Sequence, residues 1–181
     1  MKIRVAYYIA AKDGKWLDNA ISGWTGLFNP GTPAFSHCEI WMPDQNGNWV
    51  QTGPCGIAGD MFTSTMRGDN NGTVLRPASD VLKHPERWHI TEIEVDDDLY
   101  KIARNWAKIR VACNQGYDNK TIASFFWFTR ISGNKEKAIC SERCYQFLCE
   151  CGVFSDKTKC PSPRRLSRWL SDIGYKPKPL V

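Results

Sequence analysis

Residues 35–42, FSHCEIWM, are the stretch on which the predicted fold of this chain depends. Successive residues of a β-strand point to opposite faces of the sheet, so an alternating stretch of this length is typical of a strand. One face would carry Ser36, Cys38, Ile40 and Met42, and the other Phe35, His37, Glu39 and Trp41. His37 therefore stands where a buried strand would ordinarily place another hydrophobic side chain.

Further strands are predicted on both sides of this stretch. The sequence DQNGN at 44–48 is typical of a hairpin turn, because Asn46-Gly47 tolerates positive φ. The segment NWVQT at 48–52 would then return antiparallel and carry Gln51 beside the His37 strand. Residues 53–72 are rich in Gly, Asn and Asp and predict a loop with one short strand. The other predicted strands are VAYYIA at 5–10, TVLRP at 73–77 and HITEIEV at 89–95.

The second half of the chain has the 3.6-residue period of helices. Asp96, Asp97 and Asp98 suit a helix start, and Ser162-Pro163 predicts an N-cap followed by a first helical residue. The apolar run IASFFWFTRI at 122–131 predicts a well-buried helix. Three buried stripes are predicted: Leu99, Ile102, Ala103, Trp106, Ile109 and Cys113; Cys140, Cys144, Phe147, Leu148 and Cys151; and Leu166, Trp169, Leu170 and Ile173. The sequence thus predicts an α+β fold, an antiparallel sheet with packed helices.

Length and composition fit one globular domain over residues 1–181. Lys and Arg number 24 against 19 Asp and Glu, and the excess lies in a basic C-terminal helix and tail, about 156–181. No nucleic-acid motif accompanies these charges, so no nucleic-acid partner is predicted. The chain has no apolar run of membrane-spanning length and no signal-peptide pattern, which predicts a cytoplasmic location. Packaging in a phage virion is the open alternative, and the eight cysteines fit free thiols.

Cys140 is the candidate nucleophile, in the stretch AICSERCYQFLCECG at 138–152. It lies at the start of a predicted helix, where unpaired N–H groups and the helix dipole stabilise a thiolate. A cysteine nucleophile needs a base, and His37 is the natural partner. The imidazole in turn needs a third polar group to orient it. Gln51 on the predicted return strand is preferred, with Glu39 as the alternative, because side chains two residues apart on one strand meet less easily.

Two other uses of these residues compete with catalysis. Cys140 and His37 could be ordinary core residues, since free cysteine is among the most buried residue types. The cysteines from Cys140 to Cys160 could bind zinc, but the spacing C-x3-C-x4-C-x-C-x8-C lacks the paired C-x2-C elements of structural sites. No metal site is therefore predicted.

The order of these elements resembles that of the permuted NlpC-like papain-fold cysteine hydrolases, most closely the YiiX-like branch. The resemblance is carried by FSHCEIW on a strand, GYDN at 116–119, ICSERCYQFL opening a helix and SPRRLSRWL near the end. It covers roughly residues 5–172 and implies a circularly permuted papain-like fold, with the histidine strand before the cysteine helix. Cys140 matches the nucleophile and His37 the base. Gln51 falls at the third catalytic position, where relatives often have Glu or His.

The resemblance also implies an activity. Relatives of this type cleave amide bonds, so the expected substrate is a peptidoglycan peptide, cut through an acyl-enzyme on Cys140 without a cofactor. The backbone N–H of Cys140 would bind the oxyanion. Tyr117 and Asp118 match the YD element of these relatives, where Tyr117 would contact substrate or, alternatively, have a structural role. Virion or tail proteins are candidate partners. An acyltransferase or lipid amidase of the same fold, and a non-catalytic papain-fold structural or binding protein, are the alternatives.

Overall fold

A computed structural model describes residues 1–9, 33, 35–50, 57–65, 71–113 and 138–181. Within these residues, strands form one antiparallel sheet in the order β4-β3-β2-β1-β5-β6. Their bounds are β1 Lys2–Ile9, β2 Phe35–Met42, β3 Asp60–Thr65, β4 Gly72–Pro77, β5 Trp88–Glu94 and β6 Lys178–Pro179. The predicted strand at 35–42 therefore forms, and it lies in the interior of the sheet between β1 and β3.

Four α-helices and one 3₁₀ turn occur in the described part of the chain. They are α1 Ala78–Val81, the 3₁₀ turn Pro85–Arg87, α2 Asp97–Ala112, α3 Cys140–Glu150 and α4 Pro163–Asp172. The predicted N-cap at Ser162 is confirmed, since its side chain accepts from the N–H of Arg165. The predicted helix start at 96–98 is also confirmed, and there the Asp96 side chain accepts from the N–H groups of Asp98 and Leu99. None of the described helices is long and apolar enough to cross a bilayer.

The helices pack mainly on one face of the sheet, which confirms the α+β class. The central cluster combines alternate residues of β1 and β2, including Val5, Tyr7, Cys38 and Ile40, with the buried sides of α2, α3 and α4. A smaller cluster on the other face joins Trp41, Met61 and Trp88 to the short helix α1 and the residue after it. β2 is thus covered on both sides, and all eight of its residues are buried.

Strands β2 and β3 pair over a short length and then diverge. Their register covers only Ile40–Phe62, Trp41–Met61 and Met42–Asp60, although both strands continue past the first of these pairs. Beyond it, side chains replace backbone pairing: the Thr63 hydroxyl donates to the Cys38 carbonyl at 2.9 Å. The Ser64 hydroxyl donates to the carbonyl of Ala138 at 2.7 Å, which fixes the chain just before α3. The start of α3 is therefore held at the opening between the two strands.

The predicted return strand at 48–52 is wrong over the residues that are described. The turn itself forms, with Asp44 accepting from the N–H groups of Asn46 and Asn48, but residues 48–50 are not a strand. These residues instead pack against the sheet through Trp49, whose ring meets that of Trp41 edge-on. On the side of β2 away from β1, the neighbouring strand is β3, which comes from the segment 53–72, predicted to hold one short strand. Residues 51 and 52, and the predicted helix at 122–131, lie outside the described residues.

The predicted buried stripe of α2 is also wrong, although the helix is present. Of its positions only Ala103 is buried and Trp106 partly so, while Ile102 and Ile109 are 55 % and 61 % exposed. The buried positions are Tyr100, Ala103, Arg104 and Ala107. On α3 the predicted stripe is confirmed; on α4 Leu166 and Leu170 are buried, but Ile173 is exposed.

Polar anchors explain the orientation of α2. The Tyr100 hydroxyl donates to the Pro43 carbonyl at 2.6 Å, and Arg104 donates to the same carbonyl. Arg104 also forms an ion pair with Asp60 at 2.7 Å. A buried guanidinium is stable only when it is paired and hydrogen-bonded, so these contacts turn this side of the helix inward in place of the Ile102 and Ile109 side.

This orientation predicts unequal effects of two substitutions on α2. Arg104→Gln should lower the free energy of unfolding by about 1.5–3 kcal/mol, because Asp60 and the Pro43 carbonyl lose a charged donor. Ile109→Lys should change it by no more than about 0.5 kcal/mol, since that side chain is exposed. Urea unfolding followed by circular dichroism measures both. A larger loss in Ile109→Lys than in Arg104→Gln would contradict the orientation.

Candidate active site

Cys140 is the first residue of α3, and its side chain points into the core rather than to solvent. Ile139 precedes it in extended conformation, and the Ile139 carbonyl accepts from the N–H of Arg143 at 3.1 Å. The thiol is 4 % exposed and belongs to the central cluster. A thiolate at this position is stabilised by the positive end of the helix.

His37 reaches the same place from β2. It pairs with Tyr8 of β1, and the register then shifts so that Ile9 pairs with Phe35, which leaves Ser36 as the extra residue of a bulge. Bulges bend a strand and redirect the side chains next to them. The His37 ring is 6 % exposed and interacts with the Cys140 thiol.

Cys38 explains how a sulfur on the helix side of the sheet meets His37, whose side chain belongs to the opposite face. In an antiparallel strand the N–H and C=O of one residue point to the same side. The Cys38 carbonyl points toward β3, where it accepts from Thr63. Its N–H donates to the sulfur of Cys140. The sulfur therefore lies in the opening between β2 and β3, close to the plane of the sheet.

The environment favours the charged forms of both partners. Hydrogen bonds from the Cys38 thiol and backbone N–H, together with the His37 charge, hold the pKa of Cys140 well below its ordinary value, although burial opposes this. Burial lowers the pKa of His37, but the Cys140 thiolate and Glu39 outweigh it and raise that pKa to about 9. The two residues thus form a buried thiolate–imidazolium pair near neutral pH.

Glu39 holds the other side of the imidazole. Nε2 of His37 donates to Oε1 of Glu39 at 3.1 Å, and Nη2 of Arg76 donates to the same oxygen at 2.8 Å. Burial of Glu39, which is 1 % exposed, would raise its carboxyl pKa, yet the contacts with His37 and Arg76 keep that pKa below its usual value. With Nε2 bonded to Glu39, Nδ1 is the ring nitrogen left for the Cys140 sulfur.

Of the residues named from the sequence, the structure brings together Cys140, His37 and Glu39. Gln51 and Tyr117 lie outside the described residues, so their roles stay predictions. Side chains two apart on a strand do meet at this position: His37 and Glu39 share a face, and the glutamate is long enough to reach the ring.

Sequence reasoning missed Arg76 and the backbone of Cys38. Arg76 lies two strands away from Glu39, and no local pattern indicates that β3 places β4 in reach of β2. The N–H of Cys38 becomes a ligand of the sulfur only because β3 diverges from β2. Alternation within 35–42 does place Cys38 on the helix side, but it says nothing about which neighbour its backbone meets.

Among the residues that the structure describes, no group of three or more His, Cys, Asp or Glu side chains is arranged to hold a metal ion. Their seven cysteines are free thiols. No family model, curated protein or solved structure matches this chain. The site itself brings together a thiol at a helix start, an imidazole that can carry a proton and a carboxylate that accepts from the ring.

The geometry predicts the titration of His37. Its imidazole should titrate at a pKa of about 9 in the native protein, against an ordinary value of 6.5. Cys140→Ser should lower this pKa strongly, because the thiolate charge is lost, and Glu39→Gln should lower it less. Ring ¹⁵N chemical shifts measured against pH test both statements, with the signals of His84 and His89 as internal controls. A native His37 pKa at or below 6.5 would show that the ion pair does not form.

Proposed function

We propose that this protein is a cysteine hydrolase that cleaves an amide bond through an acyl-enzyme on Cys140. The observation that carries the proposal is the placement of the buried Cys140 thiol against the His37 ring, with Glu39 bonded to the other side of that ring at 3.1 Å. A core cysteine and a structural histidine would favour their neutral forms after burial. Here burial acts against the charges, and specific contacts outweigh it for both groups.

The reaction would run in two halves. The Cys140 thiolate attacks the carbonyl carbon, the carbonyl oxygen becomes an oxyanion, and the Cys140 backbone N–H at the helix start donates to it. The imidazolium of His37 gives its proton to the leaving amine, and the C–N bond breaks to leave a thioester. Neutral His37 then takes a proton from water, which attacks the thioester. Collapse of that intermediate releases the acid and restores the thiolate–imidazolium pair.

The substrate class rests on the resemblance to the permuted NlpC-like papain-fold hydrolases. We propose a circularly permuted papain-like fold for this chain, because the histidine strand precedes the cysteine helix and both lie in an α+β domain with an antiparallel sheet. A peptidoglycan peptide is then the proposed substrate, which the protein would reach either as part of a phage virion or from inside the cell. Virion or tail proteins are the proposed partners. An acyltransferase would use the same thioester with an acceptor other than water.

One observation favours a second candidate, a non-catalytic papain-fold module. Cys140 and His37 are almost fully buried, and a substrate carbonyl has to reach the sulfur. A module that keeps the site for stability alone would retain the ion pair without turnover. Hydrolysis experiments separate the two candidates.

Substitution of Cys140 and of Cys144, one helical turn further along, separates chemistry from packing. Cys140→Ala should abolish release of new amino groups from peptidoglycan fragments or acyl-peptides. Cys144→Ala should keep activity, while the loss of its sulfur from the central cluster lowers the free energy of unfolding by about 1–3 kcal/mol. Amine release and urea unfolding provide the measurements.

A Cys140→Ala variant as active as the native protein would remove the enzyme proposal. Native protein without turnover on any of these substrates, but with the raised His37 pKa intact, would favour the non-catalytic module.

The identity of the third residue can be tested by kinetics. The sequence favours Gln51, whereas the contact at 3.1 Å favours Glu39 as the group that orients His37. If Glu39 has this role, Glu39→Gln should lower kcat by about tenfold or more, and Gln51→Ala should leave it nearly unchanged. The opposite pattern would assign the role to Gln51. Full activity in both variants would reduce the site to a Cys–His pair.

A further inference from the structure

Arg76 lies on β4, yet it reaches a side chain on β2. Met61 of β3 pairs with both Arg76 and Trp41, so Arg76 shares the face of the sheet that carries Trp41 and Glu39. Its guanidinium crosses β3, and Nη2 donates to Oε1 of Glu39 at 2.8 Å. The arginine side chain is partly buried and the carboxylate almost completely so. Such a pair is fixed in geometry and poorly screened by water.

The shared oxygen makes this contact part of the site. Oε1 of Glu39 accepts from Arg76 and from Nε2 of His37, so the carboxylate bridges the guanidinium and the imidazole. The charges alternate along the chain of contacts: thiolate, imidazolium, carboxylate, guanidinium. Their sum is zero, which is the condition under which buried charges are least costly. Without the guanidinium, the buried group would carry one net negative charge.

We propose that Arg76 is a positioning residue of this site, which keeps Glu39 ionised and oriented toward His37 and thereby keeps the Cys140 sulfur in its reactive thiolate form. The inference rests on the proposed function, since it assigns a role to Arg76 in preparing the nucleophile. Arg76 does not touch the sulfur; it acts through Glu39. Its role is distinct from that of a surface ion pair, because Glu39 is one of the groups that determine the state of the imidazole.

Other titratable groups face the site from the elements packed around it. They are Tyr8 opposite His37 on β1, Cys38 on β2 itself, and Cys144 one turn along α3 from Cys140. Burial raises the pKa of both cysteine thiols, so neither supplies a charge near neutral pH. Strand β3 contributes Thr63 and Ser64, which do not titrate. Arg4 of β1 lies on the same face as Glu39, but it donates to Glu92. Arg76 is thus the cation besides His37 that contacts Glu39 among the described residues.

Loss of Arg76 should therefore act on the sulfur. Without the guanidinium the pKa of the Glu39 carboxyl rises and its contact with the ring weakens, so the imidazolium is less stabilised and the thiolate becomes harder to form. The acid limb of the pH profile for Cys140 alkylation should move to higher pH by about one unit in Arg76→Gln. At pH values below the acid limb, Arg76→Gln should be alkylated about tenfold more slowly than the native protein. Arg76→Lys keeps the charge and should stay within about threefold of the native rate.

Iodoacetamide alkylation of the full-length protein, with Cys140 followed by peptide mass spectrometry from about pH 4 to pH 9, measures the profile. Arg104→Gln is the matched control, because it breaks another buried arginine–carboxylate pair, with Asp60, away from the site. It should lower stability and leave the acid limb in place. The double variant Glu39→Gln with Arg76→Gln restores charge balance, and in the Glu39→Gln background the loss of Arg76 should have a much smaller effect.

An acid limb that stays at its native pH in Arg76→Gln would overturn the proposal. An equal shift in Arg104→Gln would do the same, since general destabilisation would then explain both. If Arg76→Gln does not fold, the double variant is compared with Glu39→Gln alone, and a tenfold lower alkylation rate in the double variant would show that Arg76 does not act through Glu39. A different result would count against the hydrolase proposal, namely alkylation of native Cys140 no faster than that of the exposed Cys113.

Discussion

The divergence of β2 and β3 after the Ile40–Phe62 pair is the feature on which the site depends. Had the two strands continued to pair, the N–H and C=O of Cys38 would have bonded to the backbone of β3. Because they separate, those groups bond instead to the Cys140 sulfur and the Thr63 hydroxyl, and Ser64 fixes the chain before α3. A broken ladder thus provides a donor for a thiolate and a place for the helix start, and the N–H and C=O of Cys38 both keep a partner.

Charge neutrality is the second requirement, and it limits what the site tolerates. Two buried ions of opposite sign recover their desolvation cost only with good geometry and further hydrogen bonds. The Cys140–His37 pair has such bonds at both ends, from Cys38 on one side and from Glu39 on the other. Glu39 alone would leave an excess negative charge, which Arg76 offsets. The reactivity of the sulfur and the stability of the strands therefore have a common electrostatic basis.

Local sequence predicts much of the fold and part of the site. The strand at 35–42, the helix start at 96–98, the cap at Ser162 and the helix that begins at Cys140 follow from neighbouring residues, and the structure has all of them. The predicted alternation is wrong at Phe35, because the bulge at Ser36 moves that side chain to the face of Cys38. The buried side of α2 is not predictable in this way, because Arg104 finds its partners on distant segments. The same holds for Arg76. Hydrophobic periodicity cannot show that a charged side chain will be buried against a specific carboxylate.

Cysteines on α3 show why position decides reactivity where residue type and burial do not. Cys140 and Cys144 of α3, and Cys151 directly after its last residue, lie on one buried face, as the sequence spacing predicts. Burial raises the pKa of Cys144, and it raises that of Cys151 to about 12, so both remain neutral. Cys140 experiences the same burial, but it begins the helix and faces the Cys38 N–H and the His37 ring. One helical turn separates an inert core thiol from a thiolate, because only the first turn meets the opening between β2 and β3.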